Sequence, residues 1–171
     1  MQIIYNTSTI HLEDMPLDIG YASERVTLSN DENKPFLIGG QSGFTQLLIT
    51  TPFIDDELLV QLQEIETLLN LNALGGITKA LLVASTKHAS PRMEGWLFGI
   101  DSDEAFGDYY GIRLAGHELG GEFAKSIFIV SKDGAVFYNE ILPNLEDSFS
   151  LERVLPKIAA AQNCYTGKGC H

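Results

Sequence analysis

Two short apolar runs on either side of one long amphipathic pattern constrain the fold of this chain more than any other feature. Residues 46–51 form a run that stops at Pro52, and residues 79–85 form a second run. Apolar runs of this length are typical of buried strands. Between them, apolar residues recur at spacings of three and four, which predicts a helix with one buried face. These residues are Leu58, Leu59, Leu62, Ile65, Leu68 and Leu69.

The last third of the chain predicts an antiparallel addition to the same sheet. Residues 126–131 and 135–141 are strand-like runs joined by a turn that contains Asp133 and Gly134. Asp-Gly between two such runs is a strong signal for a hairpin. Strands that alternate with helices before a terminal hairpin predict a sheet with a parallel part and an antiparallel edge.

The remaining segments predict shorter elements. Residues 86–95 have room for one or two helical turns, and residues 96–100 form a short strand. Ser102 is placed to cap a brief helix through Tyr109. A closing helix is expected from near Ser148 or Ser150 to about Gln162, kinked or shortened by Pro156. The whole order predicts a three-layer α/β fold of thioredoxin-like type, with helices on both faces of a mixed sheet.

Composition limits the classes of partner. The chain has 171 residues, of which 44% are hydrophobic, so we expect one domain over residues 1–160 and a flexible tail over residues 161–171. With 11 basic and 23 acidic residues the net charge is −12, which disfavours nucleic acid and membrane surfaces. No targeting segment or membrane span is evident, and a cytoplasmic location is expected.

An ordered set of segments resembles the bacterial thiol peroxidases, which are atypical two-cysteine peroxiredoxins. The resemblance extends over about residues 45–160, and residues 1–44 match only loosely. Pro52 and Asp55 resemble the Pro-x-x-Asp that opens the family's peroxidatic loop, and residues 91–95 resemble the segment with its resolving cysteine. The segments that resemble the family's C-terminal half are residues 105–112, 119–125, 126–130 and 133–140.

The reactive residues of that family are replaced in this chain. Its loop reads Pro-x-x-x-Thr-x-x-Cys, and the same count from Pro52 gives Asp56 for the threonine and Leu59 for the cysteine. The resolving position falls at Glu94, and the arginine that polarises the peroxide falls at Lys125. Direct attack on an O–O bond needs a thiolate, and leucine has no nucleophilic atom. We therefore expect no thiol peroxidase activity at this site.

The charged residues around these positions have two interpretations each. Asp55, Asp56 and Glu57 form either a favourable helix N-terminus or, less simply, a cation site, but three adjacent acids do not project to one point on a helix. Glu94 and Lys125 are placed to form an ion pair in the former redox pocket, as a structural rather than a catalytic feature.

The four histidines show no metal-ligand spacing. His11, His88, His117 and His171 are therefore expected to be surface or loop residues. His117 lies in a glycine-rich stretch and is the histidine that we expect nearest to the former active site.

The C-terminal tail holds both cysteines of the chain. Cys164 and Cys170 are separated by five residues and followed by His171, a spacing that fits no haem or metal motif. The tail is interpreted as disordered or closed by a small-loop disulfide, and a redox pair or a soft-metal site remains the alternative.

Together these observations favour a non-catalytic binding or regulatory protein on a thiol peroxidase framework, without a cofactor and with an unidentified protein partner. The resemblance implies a homodimer, for which Trp96 and Phe53 are candidate interface residues. The alternatives are a thiol-dependent peroxidase or oxidoreductase, or a soft-metal binder, that uses Cys164 and Cys170.

Overall fold

A seven-stranded mixed sheet forms the centre of the computed structural model, which describes residues 1–116 and 118–163. Numbered along the chain and given in spatial order, its strands are β10 (Val136–Ile141), β9 (Ser126–Val130), β5 (Gln46–Thr50), β6 (Thr78–Val83), β7 (Leu97–Ile100), β3 (Val26–Ser29) and β4 (Pro35–Ile38). A second sheet joins β1 (Gln2–Tyr5), β2 (Ser8–Leu12) and β8 (Leu114–Ala115). The helices are α1 (Asp56–Leu71), α2 (Ala105–Tyr110) and α3 (Leu151–Gln162).

Strand direction brings several chain segments to one edge of the large sheet. β5, β6 and β7 are parallel, so their carboxyl ends lie at the same edge. β9 is antiparallel to β5 and pairs Ser126 with Thr50, which places the start of β9 at that edge too. Ligand sites of open α/β sheets lie outside the carboxyl ends of the strands, so this edge is where a site is expected.

The helices cover both faces of the sheet. On one face α1 and α3 pack through Leu62, Ile65 and Ile158 against side chains of β5, β6 and β9. On the other face α2 packs through Phe106 and Tyr110 onto a second apolar cluster. The predicted thioredoxin-like arrangement, with a mixed central sheet between helical layers, is confirmed.

Most predicted elements are present near their expected bounds. The apolar run before Pro52 is β5, the amphipathic pattern is α1, and the hairpin is β9 with β10. The closing helix begins after Ser150 and ends at Gln162, with Pro156 inside it.

Two local predictions are wrong. Residues 86–95, all of which the structure describes, form turns and irregular backbone instead of helical turns. Ser102 does not cap α2. The carboxylate of buried Asp101 accepts the N–H groups of Phe106 at 3.0 Å and Gly107 at 2.8 Å, so the cap comes from one residue earlier. Burial raises the pKa of Asp101 above its ordinary value, and these two N–H groups act against that rise.

The first 44 residues contain four strands that the sequence analysis did not assign. β1 and β2 form a hairpin whose sheet is completed by β8, and β3 and β4 extend the large sheet beyond β7. Within the described part of the chain, no helix is both long and apolar enough to cross a membrane.

Candidate functional site

The segment that precedes α1 lies at the carboxyl edge of the parallel strands. It follows β5 directly and is adjacent to the residues that lead into β9. The Thr50 hydroxyl donates to the Ala124 carbonyl at 2.6 Å and lies 2.5 Å from the Ser126 hydroxyl. These contacts fix the two segments side by side. We call residues 52–59 the α1 start.

The acidic residues of the α1 start form a helix N-terminus, as one of the two interpretations predicted. Asp55 is the N-cap, and its carboxylate accepts the Leu58 N–H at 2.8 Å. Asp56 and Glu57 lie in the first turn, where negative charge is favourable. The carboxylate of Asp55 is thus occupied by the backbone of its own helix.

The leucines at the α1 start contribute only hydrocarbon to this edge. Leu58 is 1% exposed and belongs to the main core. Leu59, the position that the resemblance assigns to the peroxidatic cysteine, is partly buried and packs against the same core. Pro52 is buried at the junction between β5 and α1.

Lys125 is the basic side chain beside the α1 start. The residue is 2% exposed, its ammonium donates to the Asp147 carbonyl at 2.7 Å, and its nitrogen lies 5.7 Å from the Phe149 ring centroid. Burial lowers the pKa of Lys125, and the carboxylates of Asp55, Glu57 and Asp147 oppose that change. Lys125, the position that the resemblance assigns to the family's arginine, is thus held by the loop between β10 and α3.

The same loop is bonded to α1 at two further points that the sequence analysis missed. Gln61 donates to the Phe149 carbonyl at 2.9 Å and accepts the Phe149 N–H at 3.1 Å. Ser148 donates to the Glu57 carboxylate at 2.8 Å. The sequence contains a signal for this contact, because Gln61 is a polar residue on the apolar face of α1, three residues after Leu58.

Glu94 does not form the predicted ion pair with Lys125. It is exposed and lines a groove with Gln63 and Thr67, in the middle of α1, whereas Lys125 lies at the helix start. The ion pair nearer to Glu94 is Lys79 with Glu66, and Glu66 lines the same groove as Glu94. The prediction failed because residues 91–95 run along the side of α1 instead of reaching its first turn.

One histidine has a carboxylate partner that the scattered spacing did not predict. His88 is largely buried, and its Nε2 lies 2.8 Å from an Oε atom of Glu122. The pair joins the loop after β6 to the segment before β9. His11 lies exposed on β2, and His117 lies outside the described residues. In the part of the chain that the structure describes, no group of three His, Cys, Asp or Glu side chains is arranged to hold a metal ion.

The predicted tail residues Cys164, Cys170 and His171 lie outside the described residues. The chain enters the tail from the far edge of the sheet. Gln162, at the end of α3, accepts the Thr45 hydroxyl at 2.7 Å and donates to the Gly75 carbonyl at 2.9 Å. Thr45 precedes β5 and Gly75 precedes β6, so Gln162 lies at the edge of the sheet opposite to the carboxyl ends of these strands.

Comparison with known proteins gives a fold. No protein-family model matches the chain, and no curated protein sequence matches it. Among solved structures, a peroxiredoxin-like protein from Aquifex aeolicus superposes with a TM-score of 0.82 at 17% identity, covering 94% of this chain and 96% of that one. A thiol peroxidase from Chromobacterium violaceum gives a TM-score of 0.77 at 16% identity, covering 92% and 95%. The mitochondrial 2-Cys peroxiredoxin from Plasmodium falciparum gives 0.61 at 12% identity, covering 83% and 92%. The chain therefore has a peroxiredoxin-like, thioredoxin-type α/β fold.

Proposed function

We propose that this chain is a peroxiredoxin-fold protein without thiol peroxidase chemistry at the α1 start, and that it acts as a non-catalytic binding or regulatory protein. The observation that carries the proposal is the environment of Leu59. A hydrocarbon side chain stands where the resemblance places the reactive sulfur. Fold alone does not imply activity. Because the α1 start offers no reactive group, we assign the chain a role in binding another molecule.

The charges around Leu59 support the proposal. Three acids at the α1 start would oppose a thiolate or a hydroperoxide anion, because like charges disfavour each other's ionised forms. Lys125 carries the opposite charge, but its ammonium donates to the Asp147 carbonyl and is surrounded by carboxylates. The group in the arginine position therefore stabilises the loop between β10 and α3, which is a structural role.

The proposal includes an assembly and a location. As the resemblance implies, the protein forms a homodimer, and apolar surface is available near the α1 start. Val60 is 54% exposed, and Phe53 is partly exposed although it packs on Tyr5 at 5.6 Å between ring centroids. A cytoplasmic location is consistent with two cysteines confined to residues 164–170, because no disulfide can then constrain the core. Light scattering after size-exclusion chromatography tests the dimer, and a mass of one chain would contradict it.

A second candidate function uses the tail. Cys164 and Cys170 are the two thiols of the chain, and as a dithiol they would reduce a hydroperoxide to an alcohol and water while forming a disulfide. The same pair would offer soft ligands to zinc or copper(I).

Hydroperoxide consumption tests the proposal. The reduced protein is mixed with hydrogen peroxide or an organic hydroperoxide under excess reductant, and its rate is compared with those of two controls. One control is the variant with Cys164→Ser and Cys170→Ser, and the other is a free peptide of residues 163–171. We expect the protein to be no faster than the free peptide, because nothing at the α1 start activates a thiol.

Two results would contradict the proposal. A protein rate many times that of the peptide, lost in the double serine variant, would make the tail an oxidoreductase site. Retention of that high rate in the double serine variant would place peroxide chemistry elsewhere in the chain. Stoichiometric zinc or copper(I) binding that requires both cysteines would instead establish the metal-binding alternative.

A further inference from the structure

We draw no further inference here: the strongest candidate, the largely buried side-chain pair of His88 and Glu122 that joins the loop after β6 to the segment before β9, carries nothing beyond a structural contact, because nothing in the described part of the chain shows what the pair would bind or react with.

Discussion

The α1 start and the connection between β6 and β7, residues 84–96, which we call the Trp96 loop, differ in how completely their polar groups are satisfied. At the α1 start the Asp55 carboxylate, the Lys125 ammonium and the Gln61 amide all have partners within the chain. In the Trp96 loop a buried indole N–H has none among the described residues, and Arg92 has a strained backbone. The polar groups named in the first segment are satisfied within the chain, whereas the Trp96 indole N–H of the second is not satisfied by any described residue.

The two segments also differ in how neighbouring parts of the chain hold them. In the loop between β10 and α3, Ser148 and Phe149 form hydrogen bonds with Glu57 and Gln61 of α1. The α1 start therefore contributes stability to the folded state. Residues 91–95 are not incorporated into such a network and border open grooves on both sides. Mutations in the two segments should therefore have different consequences.

The largest effect is expected for Leu58→Ala at the α1 start. Leu58 is 1% exposed, and truncation of a buried leucine leaves a cavity that costs about 3 kcal/mol of unfolding free energy. Urea unfolding followed by circular dichroism measures the loss. Leu71→Ala is the matched control on the same helix, since Leu71 is 76% exposed, and it should cost less than about 0.5 kcal/mol. Equal losses would contradict the assignment of the α1 start to the core.

Lys125→Met should give the next largest effect. The substitution leaves the Asp147 carbonyl without its donor and the acids of the α1 start without a nearby cation, for a loss of about 2 kcal/mol. Lys87→Met provides the control, because the Lys87 side chain is 79% exposed and lies 4.0 Å from Glu122. A Lys125→Met protein as stable as the wild type would show that the loop between β10 and α3 does not depend on this contact.

A change of pH is expected to have a smaller effect on the free energy of unfolding. Burial lowers the pKa of Lys125 in the folded state, so between that pKa and the ordinary value the unfolded chain binds more protons than the folded one. The contribution of Lys125 to stability therefore rises with pH across this window. The advantage of wild type over Lys125→Met should increase between neutral pH and about pH 10. An advantage that shrinks would reverse the sign of the proposed pKa change.

The smallest effect is expected for Trp96→Phe in the Trp96 loop. The substitution removes the unpaired N–H together with some apolar contact, and the two changes offset each other, so the unfolding free energy should stay within about 1 kcal/mol of wild type. Urea unfolding followed by circular dichroism is again the measurement. A loss as large as that of Leu58→Ala would show that Trp96 is a fully integrated core residue, and the contrast between the two segments would disappear.

Periodicity predicted the central fold because β5, α1, β6 and β9 each bury a clear apolar face or run, and the Asp-Gly turn predicted the hairpin of β9 with β10. The same reasoning missed β1 to β4, since these strands are only four or five residues long and each has exposed as well as buried positions. It also assigned the cap of α2 to Ser102, whereas the buried Asp101 carboxylate accepts the N–H groups at the start of this helix.

The candidate site was predicted only where it depends on residues that are close together in the sequence. The helix N-terminus at Asp55 follows from local sequence and was confirmed. The partners of Lys125 and Gln61 are 22 and 88 residues away along the chain, and no local pattern indicates such contacts. The Glu94–Lys125 pair failed because it depended on a path of the Trp96 loop that only the tertiary structure determines.

Hydrogen–deuterium exchange of the two segments tests the contrast most directly. The account predicts slow exchange of the amides of residues 58–61 and fast exchange of the amides of residues 90–96. Exchange at residues 58–61 as fast as that at residues 90–96 would contradict the account, because it would show that the contacts of the α1 start do not hold this segment.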